Sequence, residues 1–219
     1  MVLFSTAKVP PGLIASALLA AGAAQGAILA TWNGQDGTTQ PGTAVDPAIT
    51  ATSDLSRGAG LSAGSGSTFN SRGWDGSTDF ASAVTDGHFL SWGITIAPAT
   101  TVENLTITVA VDRSLTGPVN FAFALDTGSG FTRIGPDLVT PEPVALRISD
   151  PVPGPLTGSV TFGLVAWGAS GSLGTADIEF GVIDAGNTVG VQVEGTVVPE
   201  PATALLSALG ILFLFRRRM

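Results

Sequence analysis

The sequence predicts an all-β fold: an antiparallel β-sandwich, jelly-roll-like, flanked by an N-terminal signal helix and a C-terminal transmembrane helix. Three observations predict it. Apolar residues recur with a period of two in many short stretches. Glycine- and proline-rich turn sequences separate those stretches. Outside the two ends, no comparably long pattern has the 3.6-residue period of an amphipathic helix. A closed barrel is the alternative arrangement of the same strands.

The strands follow in chain order. "AILATWNG" opens the set and "HFLSWGITIA" is the next clear strand. "ENLTITVAVDRS" sets Leu105, Ile107, Val109 and Val111 against Thr106, Thr108, Ala110 and Asp112. "VNFAFALD" repeats the pattern with Val119, Phe121, Phe123 and Leu125, and "SVTFGLVAWG" with Val160, Phe162, Leu164 and Ala166. "DIEFGVID" groups Ile178, Phe180 and Val182, and "NTVGVQVEGTV" groups Val189, Val191 and Val193. "DTGSG", "TGP" and "DAGN" supply turns. Gly34 to Phe80, rich in Gly, Ser, Thr and Asp, reads as long loops with a few short strands. "SDPVPGPLTGS" reads as a loop inside one domain, since neither half alone offers enough strands for a sandwich.

Composition narrows the function. The chain has 219 residues, of which 44% are hydrophobic and 12% charged, which fits one folded domain with short appendages rather than a disordered chain. Setting aside Lys8, Arg216, Arg217, Arg218 and Glu200 leaves five basic and sixteen acidic residues, a charge of −11 on the middle of the chain. Such a charge repels phosphate backbones, so nucleic acid is not an expected partner. With no cysteine there are no disulfides, thiolate metal sites or cysteine nucleophiles. The single histidine, His88, excludes a site with two histidine ligands.

Both ends carry targeting features. "MVLFSTAK" supplies a positive start, Gly12 to Ala24 is an apolar run, and "AAQGA" has the small residues a signal peptidase reads. The expected signal peptide is therefore 1–26, the secreted domain 27–196 and the terminal segment 197–219. Ala202 to Phe215 forms an uncharged run of 14 residues before Arg216, Arg217 and Arg218. As a helix it would reach about 21 Å, short of the roughly 30 Å hydrocarbon core, so thinning or snorkelling is needed. The arginines belong on the cytoplasmic side, which puts the domain outside the cytoplasmic membrane.

Val198-Pro199-Glu200-Pro201, the apolar run and the arginine cluster together resemble the PEP-CTERM sorting signal. Proteins with that tail are substrates of exosortase, a membrane-embedded enzyme of Gram-negative bacteria. The resemblance implies that Pro199, Glu200 and Pro201 are recognition residues, that the chain is cut near them, and that the membrane helix positions it. Two prolines around Glu200 also keep the segment extended. A second Pro-Glu-Pro, Pro141 to Pro143, has charged Arg147 and Asp150 soon after it and no apolar run, so the triplet alone is not the signal. "DLSRGAG", "FNSRGW", "HFLSWGITIA" and "DRSLTGPVNFAFALD" further resemble mature domains found in front of such tails, which implies a secreted β-sandwich and no catalytic residues. The family's association with biofilm and extracellular polysaccharide makes a polysaccharide an expected partner, beside exosortase, signal peptidase and the export machinery.

Candidate chemistry within the domain is sparse. Asp86-Gly87-His88 and nearby serines suggest a Ser-His-Asp triad, but no G-x-S-x-G elbow accompanies them, and His88 reads as a surface or edge residue. Asp75 and Asp79 in "WDGSTDF" are candidates for a structural calcium, without the spacing of an EF-hand loop. Trp32, Trp92 and Trp167 read as core residues; Trp74, between glycines in a loop-like stretch, is the candidate glycan contact or else a plug for one end of the sandwich. The expected function is a noncatalytic cell-surface or matrix protein, with a lectin-like or hydrolytic secreted protein as the alternative.

Overall fold

The computed structural model describes residues 26–34, 40–66, 68–139, 144–149, 155–179, 183 and 189–199. The expected signal segment and the tail beyond Pro199 lie outside them. Among the described residues the chain is an all-β sandwich with one short helix. The strands are β1 (Ala27–Asn33), β2 (Gly42–Ala44), β3 (Ile49–Arg57), β4 (Ser62–Ala63), β5 (Phe69–Arg72), β6 (Phe89–Ile96) and β7 (Thr100–Arg113). After them come β8 (Asn120–Asp126), β9 (Thr132–Val139), β10 (Val144–Ser149), β11 (Ser159–Trp167), β12 (Thr175–Ile178) and β13 (Val189–Pro199); α1 (Phe80–Asp86) precedes β6. They form two separate sheets rather than a closed barrel.

The larger sheet is organised around β7. β13 pairs with Thr100 to Val109 of β7, and β12 takes over that side from Val111 to Arg113. β10 pairs with Thr106 to Val111. β1 and β2 extend the sheet from β13, and β5 and β4 extend it from β12. The smaller sheet has the order β3-β6-β11-β8-β9, and all its pairs are antiparallel.

The period-two alternation sets the inward faces as the sequence predicts, except that Ala110, placed on the polar face of β7, is fully buried. Leu105, Ile107, Val109 and Val111 point inward, as do Phe121, Phe123, Val160, Phe162, Leu164, Val191 and Val193 from their strands. Thr106, Thr108 and Asp112 remain half-buried on the other face. Trp32, Trp92 and Trp167 are buried, as expected. Trp92 sits centrally, 6.4 Å from Trp32 and 6.3 Å from Phe162 between ring centroids. Ile178 is buried as expected, while Phe180 and Val182 lie outside the described residues.

A smaller apolar cluster lies on the outside of the smaller sheet. There α1 covers Ala122, Ala124, Val165 and Trp167, with the Phe80 and Trp167 rings edge-to-face at 6.4 Å. At seven residues α1 is too short to show a period, and local chemistry defines it. The Asp79 side chain caps its start on the Ser82 N–H at 2.8 Å. Gly87 ends it in the left-handed region at φ 76°, which a side chain would strain.

The two central indoles differ in a testable way. The Trp32 Nε1–H donates to the Ser53 carbonyl at 2.7 Å, whereas the buried Trp92 Nε1 has no hydrogen-bond partner. Both phenylalanine substitutions leave a cavity, but only Trp32→Phe also strands a carbonyl. Trp32→Phe is expected to destabilise the domain by about 1–2 kcal/mol more than Trp92→Phe, as read from urea unfolding. Equal losses would show that the Trp32 hydrogen bond contributes nothing net.

Candidate functional site

The sequence places its strongest functional signal at Val198 to Pro201, and the structure places the first half of that motif inside the fold. Val198 pairs with Thr101 and Pro199 with Thr100 at the end of β13. The Thr101 hydroxyl also donates to the Val198 carbonyl at 3.3 Å. Glu200, Pro201, the apolar run and Arg216 to Arg218 lie outside the described residues, as does the second triplet, Pro141 to Pro143.

The register explains why a proline is tolerated there. The Val102 N–H and C=O both bond Leu156, at 2.9 Å each, and so face away from β13. Val102 and Val197 are therefore a pair without mutual backbone hydrogen bonds, and alternation gives the same character to Thr100 and Pro199. Pro199 has no N–H to contribute, and at this position none is needed.

The strand directions give the sandwich two distinct ends. Ala27 faces Gly195 and Pro199 faces Thr100, so the start of β1 and the end of β13 share one end, the base. β7 runs from there for 14 residues, about 45 Å at the rise of a strand, to the opposite tip. At the tip the turns Ser114 to Gly117 and Gly171 to Gly174 are tied together: Ser114 N–H to Thr175 C=O and Ser170 N–H to Thr116 C=O, both 3.1 Å. Each turn holds a leucine in solvent, Leu115 at 94% and Leu173 at 80% exposure.

The remaining sequence candidates also gather near the tip, but their roles change. Trp74 is fully buried in the main core and its Nε1–H donates to the Ser71 carbonyl at 2.8 Å. Neither ring face is free to stack on a sugar, so the glycan-contact assignment is corrected to the plug. Gly73, at φ 95°, supplies the backbone bend just before it. His88 is also buried, not at the surface as the sequence suggested.

Ser77, Asp86 and His88 do meet. The Ser77 hydroxyl donates to Asp86 Oδ2 at 2.7 Å and lies 2.7 Å from His88 Nδ1. Since the single hydroxyl proton goes to the carboxylate, His88 donates from Nδ1. A catalytic triad needs histidine between serine and carboxylate; here serine stands between the other two. Ser77 is also buried, so the chain works as a tie that fixes the Trp74 loop to the end of α1 and the start of β6. Gly60 is packed close beneath it: a Cβ there would lie 2.1 Å from the Asp86 carbonyl and 2.7 Å from the His88 ring.

Asp79 is committed to its capping bonds with Ser82, chiefly the backbone one, which hold its carboxyl below the ordinary value. Asp75 is exposed. Among the described residues no group of three or more acidic or histidine side chains is placed to hold a metal ion. Of the two calcium candidates, Asp79 thus caps α1 and Asp75 lies in solvent.

Sequence reasoning missed the acid that is most perturbed among the described residues. Asp177 on β12 lies directly between Asn70 on β5 and Asp112 on β7. Burial pushes its carboxyl up to about 6, with Glu179 and Asp112 adding repulsion and the Thr68 hydroxyl and Arg57 opposing. Thr68 Oγ1 donates to Oδ2 at 3.0 Å, while Asp177 Oδ1 and Asn70 Oδ1 are both buried without partners. Arg57 itself stacks 3.8 Å above the Phe69 ring and donates to Ser71 Oγ and the Asn70 carbonyl. A lone carboxylate amid such alternation carries no sequence signature.

Two predictions follow from this geometry. Trp74→Ala is expected to cost about 3–5 kcal/mol of stability; an unchanged urea midpoint would contradict its core role. For Asp177, the folded chain keeps a proton between the ordinary value of 3.8 and about 6 that the unfolded chain has released. Stability therefore falls as pH rises through that window. Asp177→Asn is expected to stabilise the domain at pH 7 by about 1 kcal/mol after screening by water, and to leave it unchanged near pH 3.5. A pH-independent difference would refute the assignment.

Comparison with known proteins bears on the ends and the fold separately. No curated protein matches the chain. Among solved structures, a xylan-binding module CBM15 is similar at a TM-score of 0.38 and 15% sequence identity, over 77% of this chain and 97% of that one. Residues 197–218 match the model of the PEP-CTERM protein-sorting motif. The chain thus carries the PEP-CTERM protein-sorting motif, the signal of exported proteins sorted by exosortase, and the motif starts within the last strand of its β-sandwich.

Proposed function

We propose that this is a noncatalytic surface or matrix protein of a Gram-negative cell, displayed outside the cytoplasmic membrane and released from its tail by exosortase. The observation that carries the proposal is the sorting motif at 197–218, which continues directly from β13. Signal peptidase removes the segment before β1. The apolar run Ala202 to Phe215 then holds the precursor in the membrane, with Arg216, Arg217 and Arg218 on the cytoplasmic side.

The two-ended sandwich supports display. A tail attached at the base leaves the Leu115 and Leu173 turns facing away from the membrane. The outer faces support a contact with hydrated polysaccharide through hydrogen bonds rather than ring stacking. Thr31, Gln192 and Thr108 lie side by side in one register row, and Thr95, Ser159, Ser56 and Ser91 line the smaller sheet. The serine-centred order of Ser77, Asp86 and His88 supports the noncatalytic reading, because the hydroxyl is already bound and buried.

Intact-mass spectrometry of the protein from its host's envelope and medium tests the proposal. The expected species starts near Ala27 and lacks the residues after the Pro-Glu-Pro region. A chain still ending at Met219 in the membrane fraction would make the tail a plain anchor and overturn processing. Turnover of a glycan by the purified domain would overturn the noncatalytic assignment.

A further inference from the structure

We infer that the last four residues of β13, Thr196 to Pro199, form a detachable tab, and that exosortase gains the sorting motif by receiving this tab as an extended strand lifted off β7. The inference rests on the exosortase reading above and adds how the folded domain controls access.

Three observations define the tab. First, the β13–β7 register shifts between Glu194 and Thr196, so the pairs Thr196–Glu103, Val197–Val102, Val198–Thr101 and Pro199–Thr100 are set off from the rest of the strand by a bulge. The bulge is anchored on both strands. Asn104 takes φ 51°, and Gly195 is packed so closely that a Cβ would lie 2.8 Å from Val102 Cγ1 and 3.1 Å from Leu29 Cδ1. Second, burial changes there. Val189, Val191, Val193 and Gly195 are buried, whereas Thr196, Val197 and Val198 are only half-buried and Pro199 is exposed. Third, the register gives the tab few backbone bonds to β7. Two of its four pairs, Val197–Val102 and Pro199–Thr100, are positions without mutual hydrogen bonds.

The consequence is mechanical. A peptidase holds its substrate extended, with several residues on each side of the cut in its own groove. While the tab is paired, Val198 gives its backbone edge to Thr101, and Pro199 is held beside Thr100, so neither can lie extended in that groove. Lifting the tab frees four residues at the cost of shallow burial, and the bulge stops the opening before Val193 and Val191 leave the core. The sheet edge from Thr100 to Glu103 and the enzyme thus compete for one strand.

The chain has no cysteine, so the test can be clean. Val102 and Val197 form the pair without mutual hydrogen bonds, where Cα atoms lie about 4.5 Å apart, within reach of a disulfide. The full-length precursor carrying Val102→Cys and Val197→Cys is expressed in its host, where the exported domain meets an oxidising compartment. Processing is followed by intact mass, and folding by protease resistance. Wild type and each single-cysteine variant are expected to lose the tail at the same rate. The oxidised double variant is expected to accumulate as full-length precursor, processed about tenfold more slowly or less, and added reductant should restore it.

A second precursor guards against a staple that only harms folding or export. Six Gly/Ser residues inserted between Val197 and Val198 in the stapled chain let Val198 and Pro199 reach the enzyme while the staple keeps Thr196 and Val197 on β7, and should restore processing. Folded, stapled precursor processed at the wild-type rate would overturn the tab. So would a folded, exported linker variant that stays unprocessed. If wild type itself keeps its tail, the exosortase reading fails first, and the tab with it.

Discussion

Strand β7 is the constraint on which the rest of the sandwich depends. Its inward residues, Leu105 to Val111, supply the middle of the core, and its two edges organise the larger sheet. On one edge β13 pairs near the base and β12 near the tip; on the other sits β10. A one-residue slip of β7 would turn Ile107 and Val109 outward and Thr106 and Thr108 inward, on every one of these pairings at once. Because β7 crosses the whole domain, it also joins the two ends chemically. Thr100 and Thr101 hold the sorting strand, while Asp112 and Arg113 border Asp177 at the tip.

Sequence legibility followed how sharply each residue's surroundings are divided. β7 and the first part of β13 face core on one side and half-buried polar residues on the other, so alternation marks them plainly. β8 and β11 show it through their large inward side chains, although α1 covers an apolar patch on their outer face. β3 was hidden because it is an edge strand with two register irregularities against β6, and only Ile49 and Leu55 of its sequence "ITATSDLSR" are buried. β9 is hidden for a related reason. It too lies at an edge, with Gly135 and Pro136 inside it and an exposed Arg133–Asp137 ion pair at 2.7 Å. Those features discourage edge-to-edge pairing and also erase the strand pattern.

The candidate site was legible at the tail and misleading at the tip. Pro-Glu-Pro, apolar run and arginines form a linear signal, and linear signals survive in a sequence. Trp74 and His88 depend instead on where a loop folds. Their neighbours Gly73, Asp75, Gly76 and Gly87 look like those of exposed residues, yet these glycines let the loop turn back and bury both rings. Asp177 shows the converse. Nothing in the alternation distinguishes it, yet the fold buries it between Asn70 and Asp112 of the adjoining strands and so raises its carboxyl.

The bulge at Gly195 reconciles two demands that oppose each other in a sorted protein. The domain needs its last strand, because Val191 and Val193 fill the core between β1 and β7. The sorting signal needs an extended, unpaired segment, and it begins only a few residues later in that strand. A flexible linker would separate the demands but would leave the signal permanently open to any protease of the envelope. A continuous strand would protect it by making every opening a partial unfolding of the core. With the register broken between Glu194 and Thr196, the core half stays locked while the terminal half is held by shallow contacts. Protection and access then become two states of the same four residues, separated by a local opening that leaves the sandwich intact.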